Sequence, residues 1–123
     1  MSLEEVKKDI LKMHGEGYFD FVEGMWHEGI KKPEMFINID TYFMKDTFEA
    51  AIQAAATALY SSQLLLKKNA SHTFALVRPP GHHSGLKSQP HGFSFFNNVA
   101  LAASRLASHK KKVAIFDWDV HHG

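Results

Sequence analysis

A chain of 123 residues, 45% hydrophobic and 22% charged, has the composition of one ordinary soluble domain rather than of a disordered tail or a fibrous repeat. A compact fold of this length hides about two thirds of its unfolded surface, which leaves room for one modest core and no second. The 14 Lys and Arg against 13 Asp and Glu (formal charge +1) supply no basic field for following a phosphate backbone, so nucleic acid is not expected, and the lack of Cys removes disulfides and thiolate zinc sites.

In chain order, Ser2 followed by Glu5 fits a capping box, and Leu3, Val6, Ile10 and Leu11 repeat at helical spacing up to Gly15 and Gly17. Residues 18–27, YFDFVEGMWH, are aromatic-rich with weak periodicity and predict an irregular, partly helical piece, ended by the Gly-Ile-Lys-Lys-Pro stretch at 29–33. Asp46 is placed to cap a long helix whose stripe is Phe48, Ala51, Ile52, Ala55, Ala56 and Leu59, with no Gly or Pro until well past Leu66. Its alanines make it thin, which suits close packing against a sheet. Residues 73–78, TFALVR, predict a buried strand feeding the rigid turn Pro79-Pro80-Gly81, with a loop to about Gly92. A helix from about Phe95 to Ser108, capped by Asn97 or Asn98, then leads to a second buried strand, VAIFDWD. Strand, helix, strand predicts parallel pairing with a right-handed crossover and functional loops at the carboxyl ends of the strands. No window approaches roughly 18 uninterrupted apolar residues, and MSLEEVKKDILKMHGEG lacks the plan of a signal peptide. The location expected is the cytoplasm, or the nucleus in a eukaryote.

Nine histidines are the oddity of the composition, since imidazole is both a zinc ligand and a general base near neutral pH. Asp117, Asp119 and His121 are spaced by two, so an extended strand projects them from one face. A lone Asp there would be a turn former, but two like charges and an imidazole at one strand end are costly without a cation. Carboxylate and imidazole donors suit catalytic zinc, iron or manganese. His82 and His83 follow Arg78-Pro79-Pro80-Gly81, a stiff turn that argues for positioning, and neighbouring parallel strands would open both motifs onto one crevice. An imidazole beside a metal-polarised water suits a general base. Of the aromatics in Gly92-Phe93-Ser94-Phe95-Phe96, two are read as core and one as a pocket wall. His14, His27, His72 and His109 lack partner spacing and are read as solvated; His91 has no assignment.

RPPGHH, GFSFFNNVALAA and VAIFDWDVHHG, in that order over residues 78–123, strongly resemble the zinc-dependent histone deacetylase and acetylpolyamine amidohydrolase superfamily, nearest to its class II-like and prokaryotic members. Asp40-Thr41-Tyr42 and the alanine-rich helix resemble the preceding region less specifically, and the first 30 residues only loosely. The resemblance implies an α/β, arginase-like three-layer fold around a parallel sheet, of which residues 1–123 would be the amino-terminal portion of a single domain, incomplete at its C-terminus. It implies hydrolysis of acetyl groups from acetyl-lysine in histones or other proteins, or from acetylated polyamines. By the same resemblance Asp119 and His121 are two of three zinc ligands, Asp117 holds a structural potassium ion, His83 is the general base and His82 its electrostatic or acid partner. Phe93, with Gly92, walls the acyl-lysine tunnel; Ser94 stands where the family usually has Cys; Asp40 corresponds to a rim residue gripping the substrate backbone. The family's third zinc ligand, its oxyanion-binding Tyr and the acid orienting the general base fall beyond Gly123, so these residues alone are expected to be poorly active. Two alternatives stand beside this: a non-catalytic metal-binding or interaction remnant of the same fold, and, ranked last, a two-manganese ureohydrolase, for which DWDVHHG lacks an additional acid.

Overall fold

Residues 1–29, 31, 35–85 and 89–123 are described by a computed structural model, so the break expected at 29–33 lies partly outside the described residues. Helix α1 spans Leu3–His14, opened by the expected capping box: Glu5 N–H donates to Ser2 Oγ, and Ser2 N–H donates to Glu5 Oε2 at 2.8 Å. Gly15, at φ +82°, ends it by donating to the Leu11 carbonyl. The buried face is Val6, Ile10 and His14; Leu3, expected in the stripe, is exposed.

Helix α2, Glu16–Gly29, corrects the irregular reading of 18–27. Tyr18, Phe19, Val22 and Met25 recur at helical spacing and are buried, while Gly17 and Gly24 depress local propensity and mask the pattern. Tertiary packing of an aromatic face outweighs such a deficit of about 1 kcal/mol per glycine. A hairpin the sequence did not announce follows: β1 (Met35–Phe36) pairs antiparallel with β2 (Tyr42–Phe43), Met35 opposite Phe43. Asn38 Oδ1 accepts the Asp40 and Thr41 N–H groups and so shapes its turn.

Helix α3, Thr47–Leu66, begins where expected, but the Asp46 carboxylate makes no capping bond; Thr47 Oγ1 accepts from Met44 N–H at 2.9 Å instead. Its small face (Ala51, Ala54, Ala55, Ala58) is buried chiefly against a helix, α4 (Asn98–Ser108), with α1 and α2 alongside. Among the named elements its main neighbour is helical, and the alanines let that helix approach closely. Asn97 caps α4, its Oδ1 accepting Ala100 N–H at 3.0 Å. Phe19, Phe43, Phe96, Ile10, Leu59 and Leu101 form the centre of the core, and the Arg105–Asp9 ion pair ties α4 to α1.

The two expected parallel strands are not seen as such. Among the described residues the β1–β2 hairpin is the only sheet, and 73–78 and 113–119 make no ladder. A ladder needs a partner backbone about 4.8 Å away that exchanges hydrogen bonds with it, and neither segment makes such bonds among the described residues. The apolar residues expected to be buried are correspondingly exposed: Phe74, Leu76, Ile115, Phe116 and Trp118, with Val120 just beyond them exposed as well. No helix among the described residues is long and apolar enough to cross a membrane.

Candidate active site

The tandem-histidine turn is held from both sides. A Cβ on Gly81 would lie 2.5 Å from the Phe96 carbonyl oxygen and 2.6 Å from Asn98 N, so only glycine lets the turn lie against the start of α4. Asn98 Nδ2 donates to the Pro79 carbonyl and Asn97 Nδ2 to that of Ser84, and buried Ser84 Oγ donates to the Phe95 carbonyl at 2.8 Å. Stiffness from Pro79 and Pro80 is thus completed by pinning at Gly81 and Ser84. His82 and His83 sit between, ring centroids 4.1 Å apart.

The 117–121 segment meets them as expected, through a different local geometry. Asp117 Oδ1 accepts Asp119 N–H at 3.0 Å and Asp119 Oδ1 accepts His121 N–H at 2.8 Å, two successive turns in which each side chain binds the backbone two residues on. His82 Nδ1 lies 2.9 Å from Asp117 Oδ2; a carboxylate only accepts, so the ring donates from Nδ1. His121 Nδ1 is 3.1 Å from Asp119 Oδ1, and the His83 and His121 rings are 6.0 Å apart. Both oxygens of Asp117, expected at a potassium ion, are therefore engaged within the chain.

These contacts set the charges. The Asp119 N–H, and then His82, hold Asp117 below the usual carboxylate range; the His121 N–H does the same for Asp119. His83 is lowered, first by desolvation and then by the neighbouring His82, His91 and His121, against a smaller opposing pull from Asp119. Its ring is biased toward the neutral form that accepts a proton.

Gly92 and Phe93 close the other flank. Gly92 (φ +54°) packs on His83 so tightly that a Cβ would fall 2.2 Å from the ring's Cδ2. Phe93 is 54% exposed while Phe95 and Phe96 are buried, the expected division of the three aromatics. Asp40 Oδ1 accepts Gly92 N–H at 3.3 Å, which brings the predicted rim residue to the predicted wall. A cavity of about 710 Å³, lined by Tyr42, Met44, Asp46, Arg78 and Phe95, borders this site at Phe93 and at the Pro79-Pro80 turn.

Asp119 and His121, expected as zinc ligands, lie with Oδ1 and Nδ1 3.1 Å apart and offer the carboxylate and imidazole donors that zinc takes; no group of three or more such residues is gathered among the described residues. Sequence reasoning missed His14. Read as solvated, it is 2% exposed, with Nδ1 3.1 Å from the Gly85 carbonyl, Nε2 accepting Asn97 N–H at 3.1 Å, and its ring stacked on Tyr18. The available signal was register, since Val6, Ile10 and His14 follow each other at four-residue steps on one helix face. Tyr18, whose hydroxyl donates to the Phe95 carbonyl at 2.6 Å, was missed with it; burial raises its pKa.

Residues 3–123 match the family described as the histone deacetylase domain. A probable deacetylase of Archaeoglobus fulgidus is 35% identical over 94% of this chain and 31% of its own length. The polyamine deacetylase HDAC10 of Danio rerio is 37% identical over 98% of the chain and 18% of its own length. The crystal structure of the HDA15 HD domain superposes with a TM-score of 0.83 at 33% identity, covering 94% of this chain and 32% of that one. The chain thus spans about a third or less of the length of these relatives. A match over nearly every residue, with the tandem histidines and the Asp-x-Asp-x-His segment brought together on a like backbone, means that the chain belongs to the histone deacetylase domain family.

Proposed function

We propose that this chain carries the tandem-histidine part of a zinc-dependent amidohydrolase that releases acetate from acetyl-lysine or from acetylated polyamines. The observation that carries the reading is the meeting of a proton-accepting His83 with the Asp119–His121 pair, beside a His82 already oriented by Asp117. Asp119 and His121 would hold the zinc, which when bound supplies Lewis acidity at the amide carbonyl.

The chain's own residues do the rest. The neutral His83 ring takes the proton of the water that adds to the acetyl carbonyl carbon, and returns it to the departing amine nitrogen as the C–N bond breaks, leaving acetate and free amine. His82, donating from Nδ1 to Asp117 Oδ2, keeps its orientation and places its tilted ring beside that of His83. Phe93 and Gly92 wall the approach, and Asp40 stands at its rim. In this reading 73–78 and 113–119 belong to the parallel sheet of a larger three-layer domain, which accounts for their exposed apolar rows. Polyamine substrates enter because a polyamine deacetylase is among the relatives. With two of three family zinc ligands, the 123 residues are expected to bind zinc weakly and turn over slowly.

The test is zinc titration and hydrolysis of an acetyl-lysine peptide and an acetylated polyamine by the purified chain. Asp119→Ala and His121→Ala should each abolish measurable zinc uptake, and His83→Ala should remove turnover while sparing uptake. Zinc uptake indifferent to both ligand substitutions, or turnover surviving His83→Ala, refutes the reading. Zinc uptake without any turnover favours the non-catalytic alternative.

A further inference from the structure

Phe93 has φ +61°, the left-handed region, which a bulky residue occupies only where its surroundings over-determine it. The surroundings here are polar and specific. Thr41, fully buried, accepts Phe93 N–H on its hydroxyl oxygen at 3.1 Å and donates that hydroxyl to Asp40 Oδ1 at 2.7 Å. The same carboxylate oxygen accepts Gly92 N–H at 3.3 Å. Thr41 is itself fixed by the β1–β2 turn: its N–H donates to Asn38 Oδ1, and its carbonyl accepts from Ile37 N–H at 2.8 Å. Gly92, one residue earlier, has no spare room against the His83 ring. A continuous line of contacts therefore runs from the hairpin turn through Thr41 and Asp40 to Gly92, Phe93 and His83.

We propose that Thr41 is a positioning residue that, together with Asp40, locks Phe93 in the left-handed conformation and so sets the width between the Phe93 ring and His83 through which the acyl group passes. The inference rests on the reading of His83 as base and Phe93 as channel wall, and it assigns Asp40 a task inside the protein besides any grip on substrate. The Thr41 hydroxyl is also the first cause holding Asp40 below the usual carboxylate range, as expected of a carboxylate committed to that contact.

Thr41→Val keeps the shape and removes the hydroxyl; Thr41→Ser keeps the hydroxyl. In the unaltered chain, NMR should show the short intraresidue amide-to-α-proton contact that only a positive φ gives at Phe93. In Thr41→Val that contact should lengthen and Phe93 amide exchange accelerate about tenfold, the scale of one lost hydrogen bond, with Thr41→Ser restoring both. In hydrolysis, Thr41→Val should raise KM more than it lowers kcat. Unchanged Phe93 backbone signals in Thr41→Val, or a Thr41→Ser variant no better than Thr41→Val, overturn the proposal. Should Thr41→Val not fold, Asp40→Ala, at an exposed position, decides it: exchange at Gly92 and Phe93 must accelerate, and unaltered rates overturn the proposal. A chain without any turnover overturns the functional reading alone, since the backbone signals still judge the lock.

Discussion

Replacing His14 removes a buried hinge pin between α1 and the loops that carry the site. Asn97 N–H donates to Nε2, so that nitrogen bears the lone pair and the ring's proton sits on Nδ1, donating to the Gly85 carbonyl. His14→Ala strands a donor at the cap of α4 and an acceptor two residues past His83. Each unmade partner costs about 1–3 kcal/mol. The lost ring also empties volume against Tyr18 and Phe96, where large-to-small changes cost about 2–5 kcal/mol. These contributions overlap, so a loss of about 3–5 kcal/mol is expected, a large part of the roughly 5–15 kcal/mol of a whole domain. His14→Phe separates them: it refills the space but strands both partners, and about 2–4 kcal/mol should remain. Urea unfolding followed by circular dichroism measures both, with the slope unchanged if the denatured state is unaltered. His14→Phe within about 0.5 kcal/mol of the parent would refute the assigned hydrogen bonds, as would an imidazole NMR pattern carrying the proton on Nε2.

Gly81→Ala should destabilise by about 3 kcal/mol, because the added carbon meets backbone atoms of Phe96 and Asn98 that have no room to yield; an unaltered urea midpoint contradicts this. Trp118 is 86% exposed, so its fluorescence should be water-like and iodide-quenchable, and Val120→Lys and Phe74→Asp should raise solubility without lowering the unfolding midpoint; a blue, unquenched Trp118 would show that its row is covered. For pH, His83 is lowered in the fold, so its contribution to stability is complete above the ordinary value of 6.5 and is lost as pH falls through its lower folded value. Asp117 and Asp119 are also lowered, so theirs is complete above the ordinary 3.8 and is lost on further acidification. Histidine NMR titration checks the first: His83 titrating at or above 6.5 contradicts the arrangement.

Local rules were legible where the signal is local. The Ser2–Glu5 box, the Asn97 cap and the extent of α3 all depend on residues within one turn of each other. That His82, His83, Asp117, Asp119 and His121 would come together was legible, because a rigid Pro-Pro-Gly turn and a two-residue spacing leave few alternatives. Their linking bond, His82 to Asp117, joins residues 35 apart, and no local pattern encodes that. The same holds for Thr41 and Phe93, 52 apart, whose contact depends on the hairpin turn and the left-handed backbone meeting in space.

By itself, then, the sequence determined the family and most of the helices, since those follow from residue identity and short spacing. Tertiary structure alone decided that 18–27 is helical, because a buried aromatic face outweighs two glycines. It decided that His14 is a core residue, because only packing shows which loop carbonyl and amide face its ring. It decided, too, that 73–78 and 113–119 make no ladder among the described residues, because a strand is a relation between two backbones and its own residues specify only half of it.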